Sequence, residues 1–268
     1  MHAELVATSR ADDLSLRSLA DVAELTSYDE ARIIGGHMVS IWLAALPVPG
    51  VQDRRTNDAD SAITTQLASA GVLHDGLLRM GYIDTSGNSY SRTIPGVGDL
   101  SVDLLVPSPD GRFRHERLGG RGFDAVPGLG TVLSAPAVAA SISATLLDGS
   151  MLEFSARIPP LELAVVLKAY AWNSRHANKD VQDIYSMLEI AAHHPAASIG
   201  GWKLKTSTPT GSRADAVSIL ARLGRECRRR TWPDVPSGRL AALIAYLTTP
   251  GVSSAPTSPV ADVDQPDP

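Results

Sequence analysis

The chain has 268 residues, a formal net charge of -5 at pH 7 and 44% hydrophobic residues, values typical of one or two globular domains with an ordinary core. The acidic balance excludes a surface that is positive throughout, although a local basic patch stays possible. The single cysteine, Cys227, excludes an internal disulfide and a cysteine-rich zinc site.

The first half of the sequence mixes the patterns of helices and strands. Ser15 or Asp13 is the expected N-cap of the first helix, and Asp148-Gly149 between two β-prone runs predicts a hairpin. In chain order, the patterns predict a helix over residues 14–25, a buried strand at 31–34 followed by a glycine turn, a helix over 38–46, helical sequence over 63–80 with a break at Gly71, two strands within 88–106, and the hairpin strands at 141–147 and 151–158.

The second half is helical in character. Amphipathic patterns predict helices over residues 161–175, 179–194, 216–230 and 238–247, and the Pro-, Ser- and Asp-rich end predicts disorder. We therefore predict an α/β fold with a mixed, twisted sheet, followed by a C-terminal helical bundle. The expected domains are an α/β domain over 1–158, a helical domain over 159–248 and a disordered tail over 249–268.

Three features of the first half point to phosphate and metal chemistry. Asp58 and Asp60 are two residues apart, so on a strand they project from the same face, about 6.5 Å apart along the backbone. Asp103 stands alone in an apolar strand, SVDLLV, and a neighbouring strand would bring it to the same site. Clustered carboxylates suit Mg²⁺ or, in its place, Mn²⁺. Gly35 and Gly36 let backbone N–H groups approach a phosphate at a helix N-terminus.

This order of features resembles the nucleotidyltransferase superfamily of the DNA polymerase β type. Together with motifs later in the sequence, these features are similar to those of the AbiEii and MenT group of nucleotidyltransferase-like toxins. The residues that carry this second resemblance are Arg55, Thr56, Asp58, Asp60, Lys168, Arg175, Asp180 and Asp183.

The resemblance implies an enzyme that moves a nucleoside monophosphate from a nucleoside triphosphate to RNA, with the 3′ end of transfer RNA as the expected acceptor. The protein would be the toxin of a toxin–antitoxin pair, held in check by a cognate antitoxin. Asp58, Asp60 and Asp103 would hold the metal, and Asp103 would help to deprotonate the attacking hydroxyl. Lys168 would bind the phosphates.

The resemblance also assigns a helical acid and further nucleotide contacts. Asp180 is the first match to the acid that the family requires, and Asp183 is the second. The expected nucleotide-binding residues are Gly35, Gly36, Arg55, Thr56, Lys168 and Asp183.

Five arginines between residues 222 and 230 form a local basic run in this acidic chain, which we call the arginine run. Its members Arg225, Arg228 and Arg229 are the expected contacts to RNA phosphates. The alternative is an ordinary solvated helix face.

Other interpretations of the site residues stay open. Asp58 and Asp60 are also consistent with ordinary loop acids, Asp103 with a water-facing position on an edge strand, and Lys168 with a lysine whose stem covers apolar surface. Two other functions compete: an antibiotic nucleotidyltransferase that modifies a small hydroxylated drug, and a nucleotide-binding regulator without catalysis. We expect a cytoplasmic protein that does not contact membranes, since no signal-peptide pattern and no run of 18 apolar residues occur.

Overall fold

A computed structural model describes residues 1–26, 30–54, 56 and 58–251. Arg55, expected to bind nucleotide, and residues 252–268 of the expected tail lie outside the described residues. In the part of the chain that is described, no helix is both long and apolar enough to cross a bilayer.

The chain folds into strands and helices that alternate up to residue 158 and into helices after it. The strands are β1 (His2–Val6), β2 (Ala31–Ile33), β3 (Ala59–Ile63), β4 (Ile83–Ser86), β5 (Ser89–Ile94), β6 (Gly98–Pro107), β7 (Arg114–Leu118), β8 (Arg121–Val126), β9 (Val138–Thr145) and β10 (Met151–Ile158). The α-helices are α1 (Arg10–Leu25), α2 (Gly35–Ala45), α3 (Thr65–Ala70), α4 (Val72–Arg79), α5 (Leu129–Ser134), α6 (Leu161–Arg175), α7 (Asn178–His193), α8 (Ser212–Glu226) and α9 (Ser237–Thr248).

Within the described residues, the main sheet has seven strands and is mixed. Its path is β2-β3-β6-β5-β4, and β8 pairs with both β6 and β7. The β3–β6 and β6–β8 pairs are parallel, whereas the other pairs of this sheet are antiparallel. A second sheet has the order β1-β9-β10. The predicted α/β class with a mixed sheet and a helical C-terminal region is thus confirmed.

The central strand β6 has two distinct faces. Leu100, Val102, Leu104 and Val106 are buried, and α1 packs against this strand. The residues between them, including Asp103, are only partly buried and belong to the opposite face of the pleated strand. Strand β6 lies in the interior of the sheet, so the alternative of Asp103 on an edge strand is wrong.

Helix α6 is the centre of the helical region. Most of its residues are buried, because α7 and α8 pack against it, as expected for a helix that is apolar on nearly all sides. Helix α2 contacts both α6 and α7, and Trp42 Nε1 donates a hydrogen bond to the carbonyl of Pro159 at 3.2 Å. One continuous hydrophobic core therefore includes residues of both predicted domains; the change from strands to helices falls between Ile158 and Leu161.

Several local predictions need correction. Helix α1 begins at Arg10, and Ser9 rather than Ser15 or Asp13 caps it by accepting a hydrogen bond from the Asp12 N–H at 3.2 Å. The acids of that segment occupy the first helical turn, where the helix dipole favours negative charge. The sequence analysis also missed β1, which depends on parallel pairing with β9, more than 130 residues away. The Gly71 break between α3 and α4 is confirmed, with φ of 77°.

Candidate active site

A cavity of about 610 Å³ opens at the face of the main sheet that carries Asp103. Its lining comes from the start of α2, the segment before β3, strands β3 and β6, the α6–α7 pair, and the β7–β8 hairpin. The polar and charged residues of the lining are Arg54, Thr56, Asp58, Asp60, Asp103, Arg114, His115, Asp124, Lys168, Ser174, Arg175 and Lys179.

Three predicted carboxylates meet in this cavity. Asp60 on β3 is the direct partner of Asp103 in the parallel pairing with β6, so their side chains leave the sheet on the same face, one strand spacing or about 4.8 Å apart at the backbone. Asp58 lies just before β3, is exposed, and also lines the cavity. We call these three residues the carboxylate cluster.

The carboxylate cluster is electrostatically strained. Burial raises the pKa of Asp60 to about 6, and the negative charges of Asp103 and Asp58 add to the effect, while Lys168 opposes it. Burial likewise raises the pKa of Asp103, with a hydrogen bond from Ser89 opposing the shift and the charges of Asp58 and Asp124 supporting it. Carboxylates that repel one another in a partly buried site are stabilised by a cation placed among them.

The glycine pair is shaped around this cluster. Gly35 has φ of +69°, which favours glycine, and a Cβ built there would lie 1.9 Å from Asp60 Oδ2. A Cβ on Gly36 would lie 2.5 Å from Thr56 Cβ. Both residues open helix α2, whose first N–H groups have no partner within the helix. The absence of side chains thus keeps Asp60 in place and leaves backbone donors beside it.

A buried ion-pair network holds the cationic side of the cavity. Lys168 Nζ lies 2.6 Å from Asp183 Oδ2, and Arg54 donates from Nε and Nη2 to the two oxygens of the same carboxylate, each at 3.0 Å. Burial raises the pKa of Asp183, but Lys168 and Arg54 outweigh it and leave the pKa below its usual value. Asp183 therefore stays ionised and fixes both cations at the cavity.

The other predicted helical acid, Asp180, is paired with a different cation. Asp180 is fully buried at the start of α7 and accepts hydrogen bonds from Arg175 at 2.6 and 2.7 Å. Arg175 lines the cavity, whereas neither Asp180 nor Asp183 is part of the lining. The structure thus places both predicted acids behind the cations, where they position Arg175, Lys168 and Arg54.

The donor set suits a magnesium ion that shares its ligands with a substrate. In the described residues, no group of three or more His, Cys, Asp or Glu side chains forms a preassembled metal site. Mg²⁺ commonly takes one or two protein carboxylates and completes its shell with water and phosphate oxygens. The paired carboxylates of Asp60 and Asp103, with Asp58 beside them, fit that mode of binding.

The predicted RNA contacts do not line the cavity. Arg225, Arg228 and Arg229 are exposed at the end of α8 and in the turn after it. The flanks of the arginine run are tied to the α6–α7 connection: Arg222 bonds Asn173, and Arg230 lies 3.4 Å from Asn178 Oδ1. The arginine run therefore adjoins the segment that carries Arg175 and Lys179 into the cavity.

Sequence reasoning missed several residues of the site, among them Arg54, Phe113, His115 and Asp124. Arg54 gave no signal because its partner, Asp183, is 129 residues away. His115 and Asp124 belong to the β7–β8 hairpin, which was not predicted, and Phe113 directly precedes it. The alternation of residues 121–126, with Phe123 and Ala125 buried, is the pattern that indicates β8.

No model of a known protein family matches this chain, and no curated protein matches it. The solved structures that are similar to it include the following three. An antigenic nucleotidyltransferase-like protein from Paracoccidioides brasiliensis has 16% identity and a TM-score of 0.45, with 81% of this chain and 91% of that chain covered. The antibiotic-resistance factor ANT(2'')-Ia has 14% identity and a TM-score of 0.37, with 82% and 97% covered. CdnC in a complex with HORMA-deltaN from E. coli MS115-1 has 13% identity and a TM-score of 0.24, with 92% and 93% covered. At these identities, the function is inferred from the geometry of the site.

Proposed function

We propose that this protein is a Mg²⁺-dependent nucleotidyltransferase that moves a nucleoside monophosphate from a nucleoside triphosphate to a hydroxyl group of RNA. One observation carries the proposal: a single cavity combines the carboxylate cluster, the open N-terminus of α2 and cations held by buried acids. Carboxylates suit a metal ion, and the other two elements suit phosphates. A triphosphate complexed with Mg²⁺ needs both a metal site and contacts to its phosphates.

In the proposed reaction, the hydroxyl oxygen of the acceptor bonds to the α-phosphorus. The bond from that phosphorus to the oxygen that bridges to the β-phosphorus breaks, and pyrophosphate leaves. Asp103 accepts the hydroxyl proton, a role that the raised pKa of its carboxyl supports. Lys168, Arg54 and Arg175 hold the phosphates and offset the charge that moves onto pyrophosphate.

Asp58 and Asp60 would hold the metal ion, and Asp103 would complete the site. A cation at this position would offset the electrostatic repulsion within the carboxylate cluster. When bound, Mg²⁺ or Mn²⁺ supplies a positive charge that polarises the phosphate and stabilises the pentavalent transition state. Thr56, Gly35 and Gly36 would contact the nucleotide from the α2 side of the cavity, which all three residues line. Asp180 and Asp183 are assigned positioning roles.

The finer proposal is that the acceptor is the 3′ end of transfer RNA and that the protein is a cytoplasmic toxin restrained by a cognate antitoxin. The motif resemblance and the exposed arginine run support it. Arg225, Arg228 and Arg229 would bind RNA phosphates outside the cavity.

A second candidate is transfer to a small hydroxylated drug. The volume of about 610 Å³ lies within the range of small-molecule sites. In addition, the four carboxylates of the lining, Asp58, Asp60, Asp103 and Asp124, would suit a polyhydroxylated cation. This acceptor would not need the arginine run.

One experiment separates these functions. The protein is incubated with each labelled nucleoside triphosphate, Mg²⁺ and either total RNA or a panel of hydroxylated drugs. We expect labelled RNA, and we expect Asp58→Ala to abolish labelling without unfolding the protein, because Asp58 is exposed. Asp75→Ala, which removes an exposed acid on α4, is the matched control.

The outcomes are distinct. A labelled drug with unlabelled RNA replaces the first candidate with the second. Full labelling by Asp58→Ala, or labelling that persists in chelator, contradicts the metal site. No labelling of any acceptor despite triphosphate binding indicates a regulator.

A further inference from the structure

We propose that the β7–β8 hairpin forms the acceptor subsite, in which Phe113 stacks on the terminal base of a single-stranded RNA and Asp124, paired with His115, binds the terminal ribose. This inference rests on the proposed function and deepens it. It locates the acceptor in one part of the cavity, and it identifies the acceptor group as a nucleoside rather than a drug.

The order of the strands determines which parts of the fold lie on each side of β6 at the cavity. Leu105 on β6 pairs with Ala62 on β3 and also with Asp124 on β8, so β3 and β8 lie on opposite edges of β6. β2, which leads into α2, pairs with β3 on the far side, and β7 pairs with β8. The glycine pair that opens α2 and the β7–β8 hairpin thus lie on opposite sides of β6. Asp103 has Ser89 of β5 as its own partner on the hairpin side, and Asp124 pairs two residues further along β6, at Leu105.

In-line phosphoryl transfer requires two opposite sides of this kind. The attacking and leaving oxygens lie on opposite sides of the phosphorus. The backbone donors of Gly35 and Gly36 place the departing phosphates on the β2–β3 side. The acceptor hydroxyl then approaches from the β8–β7 side, past Asp124, which is one strand beyond Asp103.

The groups on that side match a nucleoside. Phe113 is 44% exposed and lines the cavity. Exposed aromatic rings beside a phosphate-binding groove are the stacking surfaces of proteins that bind single strands.

A hydrogen-bonding pair lies beside this ring. His115 Nδ1 lies 2.7 Å from Asp124 Oδ1, and their side chains are 91% and 48% exposed. A carboxylate bonded to one partner keeps lone pairs to accept hydrogen bonds from ribose hydroxyls. Arg114, which lies between Phe113 and His115 in sequence, bonds Glu116 at 2.8 Å, so we assign it no contact to the acceptor.

The test measures binding of a short fluorescent RNA by anisotropy, with Mg²⁺ and without triphosphate. Loss of one stacked base costs roughly tenfold in affinity. We therefore expect Phe113→Ala to bind the RNA about tenfold more weakly and Phe113→Trp to bind it as well as the wild type. An RNA that lacks only its 3′-terminal base should not distinguish these three proteins. Ile83→Ala, another exposed apolar truncation, is the matched control and should bind normally.

The ribose contact is tested with the same assay. Asp124→Asn should weaken binding of RNA but not of the same oligomer with a terminal 2′-deoxyribose. In turnover, both hairpin variants should raise the KM for RNA and leave the KM for the triphosphate unchanged.

The proposal is overturned if Phe113→Ala binds RNA normally, if the wild type binds no RNA, or if the KM of the triphosphate rises instead. The last result would place the base of the triphosphate on Phe113. These binding results do not depend on catalysis, whereas an active Asp58→Ala variant would contradict the transferase mechanism itself.

Discussion

Asp60 and Asp103 are direct partners across the parallel β3–β6 pair, although 43 residues and four secondary-structure elements separate them in the chain. Two like charges at neighbouring positions of a sheet destabilise it. A pairing of this kind is tolerated where a cation or a shared proton compensates the repulsion. The position of this pair in the cavity makes it the basis of the following predictions.

The first prediction concerns pH and stability. Because the pKa of Asp60 is raised to about 6 in the folded protein, folding keeps this carboxyl protonated at pH values where the unfolded chain has lost the proton. In metal-free buffer, its contribution to stability therefore falls as the pH rises from about 4 to about 6 and stays low above that. Asp60→Asn should equal the wild type near pH 4 and exceed its unfolding free energy by roughly 1–2 kcal/mol at pH 7.

Thermal unfolding in chelator at both pH values measures this difference. Saturating Mg²⁺ should stabilise the wild type at pH 7 and should hardly affect Asp60→Asn. A gap between the two proteins that is the same at pH 4 and pH 7 would show that the charge of Asp60 is not its cause.

The second prediction concerns Gly35, the first residue of α2. Gly35→Ala places a Cβ 1.9 Å from Asp60 Oδ2 at a φ of +69°, so we expect a loss of roughly 1–2 kcal/mol from backbone strain together with displacement of Asp60. Gly50 has φ of +78° and no atom within 4 Å of such a Cβ. Gly50→Ala thus reproduces the strain without the collision.

Both variants are compared by their unfolding temperature with and without Mg²⁺. Only Gly35→Ala should lose the stabilisation by Mg²⁺. Equal loss in both variants would indicate a general effect of strain and would remove the assigned role of Gly35.

The third prediction separates the two helical acids. Asp183→Asn leaves the side chains of Lys168 and Arg54, which are 7% and 23% exposed, without their shared carboxylate. We expect a loss of about 3 kcal/mol in stability and an increase of at least tenfold in the KM for triphosphate. Asp180→Asn should cost less, because the side chain of Arg175 is 49% exposed and solvent can replace its partner.

Denaturant unfolding and steady-state kinetics on both variants test this ranking. Lys168→Met is the control: it keeps the bond between Arg54 and Asp183 while it removes the ammonium group. A larger kinetic defect in Asp180→Asn than in Asp183→Asn would return the essential role to Asp180, as the motif resemblance first implied.

The fourth prediction concerns the arginine run. Each phosphate contact to single-stranded RNA contributes about -0.7 to the slope of log affinity against log salt. Replacing Arg225, Arg228 and Arg229 with Ala should therefore flatten the slope by about 2 and weaken binding at low salt. The affinity for triphosphate should hardly change, because none of the three lines the cavity.

Anisotropy titrations at several salt concentrations measure the slope. Removing two exposed cations elsewhere, Arg79 and Lys203, should leave it unchanged. If the triple variant binds and labels RNA like the wild type at every salt concentration, the arginine run is an ordinary solvated surface.

Local patterns were sufficient for much of the fold. Helical periodicity located α6, α7, α8 and α9, and the Asp148-Gly149 pair located the β9–β10 hairpin, since these elements depend on residues near one another in sequence. The same local reasoning missed β1, β4, β7, β8 and α5. Strand β1 pairs in parallel with a distant strand, and a glycine-rich sequence around residue 120 conceals the β7–β8 turn.

By itself, the sequence indicated candidate residues for the chemistry: two aspartates two positions apart, an acid inside an apolar run, and glycines before a helix. Only the tertiary structure decided which of these residues meet. The pairing of β3 with β6 brings Asp60 beside Asp103, and the packing of α7 brings Asp183 to Lys168 and Arg54. Periodicity reports which face a side chain occupies, but its neighbour across strands or helices depends on registers set by the whole core, which no local pattern contains.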